Sequence, residues 1–221
     1  LNAMKIHQAA SVISLALLAT FAQAEEMNIS DLPATRPVDT TPRLAFGQMI
    51  HYGGKTVFSP CRDPSFVYFD DGTSDGHVGK ELEQLGLLAG KKLYVEVLGI
   101  REGDFLKATD INFLQVDGRC QMPGGKEESW RASGNEPGWV LAFGAEFVQV
   151  KRVGQPEVVV PAGKPTVTPE LVTYTATQDK QTVALRFERK VCRDPAAQAV
   201  FGWTATVTVN GETLKGCAWE R

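Results

Sequence analysis

Alternation of apolar and polar residues at a period of two dominates this chain, in two blocks separated by a glycine- and proline-rich stretch. In the first block, Arg43 to Tyr52 predicts a strand, Gly53-Gly54 a turn, Lys55 to Ser59 a second strand and Phe66 to Phe69 a third, all rich in aromatic and branched residues. The period then changes. Leu82, Leu85 and Leu88 recur at helical spacing among Glu81, Glu83 and Gln84, which predicts a helix over Val78 to Ala89 with Gly90 as its C-terminal cap. Lys92 to Ile100 and Leu106 to Val116 return to strand patterning.

Three strands, a helix and two strands is the element order of an OB-fold, a five-stranded Greek-key barrel, here expected over residues 43–122. Phe58, Phe66, Tyr68, Phe69 and Tyr94 are read as mainly core. In the second block Trp139, Leu141 and Phe143 share one face, Val183, Leu185 and Phe187 repeat the pattern, and Trp203, Ala205, Val207 and Val209 oppose Thr204, Thr206 and Thr208. Asn210-Gly211 is a type I′ hairpin signal that folds Glu212 to Cys217 back along the preceding strand. The expected class is all-β with one short helix: an N-terminal OB-fold-like five-stranded barrel, a linker over 123–129, and a second small antiparallel β domain over 130–221.

Ahead of the first strand, Met4-Lys5-Ile6-His7, the uncharged apolar run Ala9 to Phe21 and Ala22-Gln23-Ala24 have the form of a secretory signal, so 1–24 is read as a leader cleaved near Ala24. Leu1-Asn2-Ala3 precede the expected start methionine as a tag or upstream start. The apolar run is shorter than the roughly 18 to 20 residues of a spanning helix, and no transmembrane span is expected in the mature protein. Residues 25–42, with Pro33, Pro37 and Pro42, read as an extended linker. A formal charge of −3 argues against nucleic acid as a partner. Lys151, Arg152, Arg186, Arg189 and Lys190 alternate with apolar positions and read as solvated strand faces.

Cys61, Cys120, Cys192 and Cys217 form no Cys-x-x-Cys pair, and export places them where disulfides persist. Three pairings are possible; domain logic favours Cys61 with Cys120 and Cys192 with Cys217 over a metal site, for which close ligand pairs are lacking. Cys61-Arg-Asp-Pro64 recurs as Cys192-Arg-Asp-Pro195, which an Asp-Pro turn anchored by a disulfide explains. Asp71-Gly-Thr-Ser-Asp-Gly76 begins like a calcium loop, but the twelfth position is Leu82 rather than a closing glutamate, so it reads as a tight acidic turn. No metal or cofactor is implied. Candidate binding residues are Trp130, Asn135, Glu136, Trp139 and Asp194, with no catalytic set: Glu136 between two tryptophans has no second carboxylate placed by sequence, and Ser129 and Ser133 have no nucleophile elbow.

Trp130-Arg-Ala-Ser-Gly-Asn-Glu-Pro-Gly-Trp139, with Cys192-x-Asp194 and Gly216-Cys217, resembles uncharacterised bacterial envelope proteins and lipoproteins marked by an aromatic-x-Ala-x-Gly-Asn-Glu-Pro-x-Trp motif. Those proteins commonly carry Met-Ser after the aspartate, where this chain has Ala196-Ala197, and are often lipidated, whereas no cysteine lies at the expected cleavage site. Phe58-x-x-Cys61, Leu82-Glu83 and Val97-Leu98-Gly99 resemble more loosely the C-terminal OB domain of the outer-membrane lipoprotein NlpE. The Cys-x-x-Cys of the other NlpE domain is absent, so copper or redox sensing does not carry across.

The expected function is a non-enzymatic periplasmic binding or stress-monitoring protein whose partner is an envelope protein, glycan or lipid. The alternatives are an inhibitor of a lysozyme-like or other hydrolase and a hydrolase using Glu136.

Overall fold

The structure is a computed structural model that describes residues 40–120 and 128–221. The leader over 1–24, nearly all of the 25–42 linker and most of the 123–129 linker lie outside these residues. In the first block the strands are β1 (Arg43–Tyr52), β2 (Lys55–Pro60), β3 (Val67–Asp71), β4 (Leu93–Glu102) and β5 (Phe105–Val116), with one helix, α1 (His77–Gln84), between β3 and β4. They pair in the order β3-β2-β1-β4-β5, and a parallel ladder between β3 and β5 closes the ring into the five-stranded barrel expected from the element order. Met49, Phe58, Val67, Val95 and Leu114 fill its interior, and Val78 and Leu82 of α1 pack against the same core.

The helix is shorter than its leucine spacing predicts. Gly86 adopts a φ of 95°, which turns the chain out of the helix one residue past Leu85, and Leu87 returns to the core through that turn. Asp71 organises the helix entry: its Oδ1 accepts from the Thr73 amide at 2.9 Å and its Oδ2 from the Gly79 amide at 2.6 Å. The acidic segment is therefore a turn that commits both carboxylate oxygens to backbone amides.

The second block contains β6 (Glu128–Asn135), β7 (Gly138–Gly144), β8 (Phe147–Arg152), β9 (Val158–Pro161), β10 (Thr166–Val167), β11 (Leu171–Gln178), β12 (Gln181–Asp194), β13 (Ala199–Val209) and β14 (Glu212–Glu220). Strands β6 to β9 form one antiparallel meander and β11 to β14 another, joined by the antiparallel pairing of β14 with β6. The joined sheet curls around one core in which Trp130, Leu141, Val160, Val172, Phe187 and Val207 meet. The faces read from period-two alternation are the buried ones, and Asn210 and Gly211 take φ values of 52° and 87° at the β13–β14 turn.

One hydrogen-bonded sheet runs through the barrel and the second block, because β5 pairs with β13 through Gln115↔Ala199, Leu114↔Val200 and Phe113↔Phe201. Gly202 makes this approach possible: a Cβ there would lie 2.0 Å from the Ile111 carbonyl oxygen. Among the described residues, two ion pairs cross the joint. Arg193 Nε meets Glu81 Oε2 at 2.8 Å and its Nη2 meets Oε1, while Arg189 Nη1 meets Asp110 Oδ2 at 2.6 Å. Arg189 also lies over the Trp203 ring, and Arg152 bonds Glu212 at 2.6 Å, so these two arginines are held by partners and are not merely solvated.

Disulfides join Cys61 to Cys120 and Cys192 to Cys217, closing separations of 59 and 25 residues within the first and second blocks respectively. Each starts at the cysteine that opens its Cys-Arg-Asp-Pro turn, in which Asp63 Oδ1 accepts from the Ser65 amide and Asp194 Oδ1 from the Ala197 amide. Among the described residues no helix is long and apolar enough to cross a membrane. Phe58 and Tyr94 are buried as expected, but Phe66 is 61% exposed. It precedes β3, outside the barrel wall, so no neighbouring strand covers it.

Candidate functional site

The tryptophan motif forms the β6–β7 hairpin, and its register opposes Gly134 to Trp139 and Trp130 to Phe143. Trp130 is 5% exposed and packs edge-on against Trp203 at 5.1 Å between ring centroids and against Phe187 at 5.6 Å. Trp139 is 3% exposed and donates its indole N–H to the Lys215 carbonyl at 3.1 Å. Two glycines clear the slot for this ring. A Cβ on Gly134 would stand 2.3 Å from Trp139 Nε1, and one on Gly216 would stand 2.9 Å from Trp139 Cζ2. The Gly-Asn-Glu-Pro-Gly-Trp and Gly-Cys segments, distant in sequence, thus build one slot for the indole inside the second sheet.

The polar part of the motif lies at the tip. Asn135 Nδ2 donates to Asp194 Oδ1 at 2.9 Å, and the same oxygen receives the Ala197 amide at 3.1 Å. This bond ties the β6–β7 turn to the Cys192-Arg-Asp-Pro loop, itself fixed by the disulfide to Cys217. Glu136 is exposed beside Asn135. The five candidate binding residues therefore separate: Asn135, Glu136 and Asp194 surround a braced surface turn, whereas Trp130 and Trp139 face the core. An open depression of about 410 Å³ beside the turn is bordered by Asn135, Val140, Lys151 and Val153. Among the described residues no group of three or more His, Cys, Asp or Glu side chains is placed to hold a metal.

A second polar cluster, not anticipated from the sequence, lies at the joint between the barrel and the second block. Glu96 is 1% exposed and accepts from Tyr94 Oη at 2.8 Å and from Asn112 Nδ2 at 2.8 Å. Asn112 also pairs with the backbone of Glu220, giving its amide to the carbonyl and taking the Glu220 N–H at 2.9 Å. Burial raises the Glu96 pKa, against the opposing hydrogen bonds of Tyr94 and Asn112 and the charge of Arg221. Burial also raises the Tyr94 pKa, aided by the charge of Glu96. The sequence signal was a glutamate inside Leu93-Tyr-Val-Glu-Val-Leu98, a strand otherwise apolar on both faces.

These groups hold structure more visibly than they offer chemistry. Asn135 and Asp194 are tied by one hydrogen bond, and Glu96 is enclosed. No protein-family model, curated protein or solved structure matches the chain.

Proposed function

We propose that this is a non-enzymatic binding protein of the bacterial cell envelope, exported to the periplasm, which engages an envelope protein, glycan or lipid on its outer surface. The observation that carries the reading is the packing of both blocks: aromatic and branched side chains fill the barrel interior and the core under the second sheet, so recognition falls to outer faces and loops. Two intramodule disulfides are compatible with an oxidising compartment. The likeness of the tryptophan motif to envelope proteins supports the same assignment. Passing a periplasmic and membrane extract over the immobilised protein tests it. Saturable retention of one component is expected, and retention of nothing beyond a blank matrix contradicts it.

One observation favours a second reading, inhibition of a lysozyme-like hydrolase: the exposed turn at Asn135-Glu136 is braced by Asp194 and a nearby disulfide, the stiffness required of a loop that enters a cleft. Undiminished lysozyme activity in the presence of excess protein removes this reading for that enzyme.

A further inference from the structure

Strand β7 floors a trough on the outer face of the second block. Trp139, Leu141 and Phe143 point into the core, so Gly138, Val140, Ala142 and Gly144 face outward, and three of these four are glycine or alanine. Longer side chains rise on both sides: register sets Ala142 between Arg131 of β6 and Gln149 of β8, and Val140 between Ser133 and Lys151. Depressions of about 300, 260 and 410 Å³ follow one another along the strand. The first and second share Ala142 and Gln149, and the second and third share Val140 and Lys151, so they form one continuous path. Trp219 of β14 walls its middle and is held there by Phe113 at 5.8 Å and Phe201 at 5.1 Å between ring centroids.

The walls are polar but carry no free cation. Arg131 is paired with Glu128, Lys151 with Glu157 at 3.6 Å and Arg152 with Glu212 at 2.6 Å. Glu146 stands at the Gly144 end. At the other end Glu136 is exposed on the turn, Asp194 is bonded to Asn135, and Lys215 is exposed with its carbonyl beside Gly134. Between these ends Ser133 on one wall and Gln149 on the other have no side-chain partner among the described residues. They bring a hydroxyl and an amide, groups that both give and take the hydrogen bonds of an uncharged backbone.

We propose that this trough binds an extended, uncharged peptide segment of a partner protein, laid along β7 with small apolar side chains over Gly138, Ala142 and Gly144 and its backbone bonded to Ser133 and Gln149. The proposal rests on the binding-protein reading and names its ligand class. Width selects the occupant first. The walls rise from strands two ladder spacings apart, about 9 to 10 Å, and a helix with its side chains measures about 10 to 12 Å, so it does not seat between them, whereas an extended chain does. The repeat selects it again. Outward positions of β7 recur about every 6.6 Å, the interval at which same-face side chains of an extended peptide recur. The charge pattern agrees, since a polyanion finds every wall cation taken. A lipid acyl chain would cover Ser133 and Gln149 without answering their hydrogen bonds.

The test selects peptides from a displayed library of random nine-residue sequences on the protein, with Ala142→Tyr as the counter-target. Tyrosine suits an outward strand position and fills the middle of the trough. Enriched sequences are expected to alternate small apolar with uncharged polar residues, and synthetic peptides made from them should shift the amide resonances of Ser133, Ala142 and Gln149. Ala142→Tyr should weaken their binding about 10-fold or more and Gln149→Ala about 3- to 10-fold, whereas Ile50→Ala, exposed on the first barrel, should leave it unchanged. Wild-type melting verifies that the variants fold, and Gln149→Ala, at an exposed site, carries the test if Ala142→Tyr does not fold. Phosphatidylethanolamine–phosphatidylglycerol vesicles and chitohexaose are titrated alongside. The proposal is overturned if no enriched peptide distinguishes wild type from the trough variants, if those that do carry the helical period of about 3.6 residues, or if vesicles or chitohexaose occupy the trough and peptides do not. Envelope-extract retention by the Ala142→Tyr protein separates the two levels. Retention equal to wild type overturns the trough and leaves the binding reading standing, loss of retention together with a trough-specific peptide supports the trough, and a wild-type protein that retains nothing defeats the binding reading itself.

Discussion

Gly216 keeps open the slot that Trp139 fills. A Cβ at Gly216 would stand 1.9 Å from the Ser133 carbonyl oxygen and 2.9 Å from the indole, and the first of these neighbours is backbone in a paired strand. Gly216→Ala should therefore destabilise the protein by about 3 kcal/mol or more through overpacking. Gly211→Ala provides the contrast: its φ is +87° but no atom lies within 4 Å, so only the left-handed backbone cost of about 1 to 2 kcal/mol applies. Urea unfolding of both variants checks the ranking; equal costs would contradict the slot.

The joint between the barrel and the second block depends on Arg193 covering Glu81. The Glu81 side chain is 5% exposed and that of Arg193 52%, so water screens one partner only. Removing Arg193 leaves a buried carboxylate without its guanidinium, and Arg193→Ala should cost about 1 to 3 kcal/mol, less than a fully buried pair. Arg193→Lys should recover part of the loss, since an ammonium restores the charge without the two-pronged bond. Thermal melts of the two variants against wild type measure the difference.

Glu96 gives the joint a pH dependence. Burial raises its folded-state pKa above the ordinary 4.5, so the folded protein holds this proton to higher pH than the unfolded chain does. Its contribution to stability is fully present below about 4.5 and is lost as pH rises through the folded value. Glu96→Gln stays neutral and can still pair with Tyr94 and Asn112. The variant should melt above wild type at pH 8, with the gap closing towards pH 4. His77 titrates in both proteins and drops out of the comparison: burial lowers its pKa, but Asp75 and Asp110 outweigh burial and raise it from 6.5.

Much of this fold was legible because it rests on local pattern. The Thr204, Thr206 and Thr208 alternation with buried neighbours marks a strand packed on one face, and Asn210-Gly211 supplies the left-handed turn it needs. Register and long-range pairing were less legible. Phe66 has core composition, yet its exposure follows from which residue of β2 opposes Tyr68, a relation no local window contains. The β5–β13 ladder joins segments far apart in the chain; its local trace was Gly202, a glycine inside an apolar strand where another backbone approaches. Within the candidate site, Asn135 and Asp194 were both named from sequence, but their bond requires the hairpin and the disulfide loop to meet.

Each disulfide should stabilise its own block by constraining the unfolded chain. Loops of 59 and 25 residues correspond to about 4 and about 3.5 kcal/mol in the chain-entropy treatment. Cys61→Ala/Cys120→Ala and Cys192→Ala/Cys217→Ala proteins should both melt below wild type. Only the second should free the loop that bears Asp194, seen as faster amide exchange at Ala197.

The tryptophan motif builds the core of the second block while ligands meet the outer surface, and Trp139→Ala tests this most directly when unfolding and ligand retention are measured on the same preparation. Loss of a buried indole should cost about 3 to 5 kcal/mol and lower the melting temperature, with retention of the envelope component preserved at temperatures where the variant remains folded. A variant that melts like wild type but has lost the ligand would show that the indole is a recognition surface, and would contradict the account.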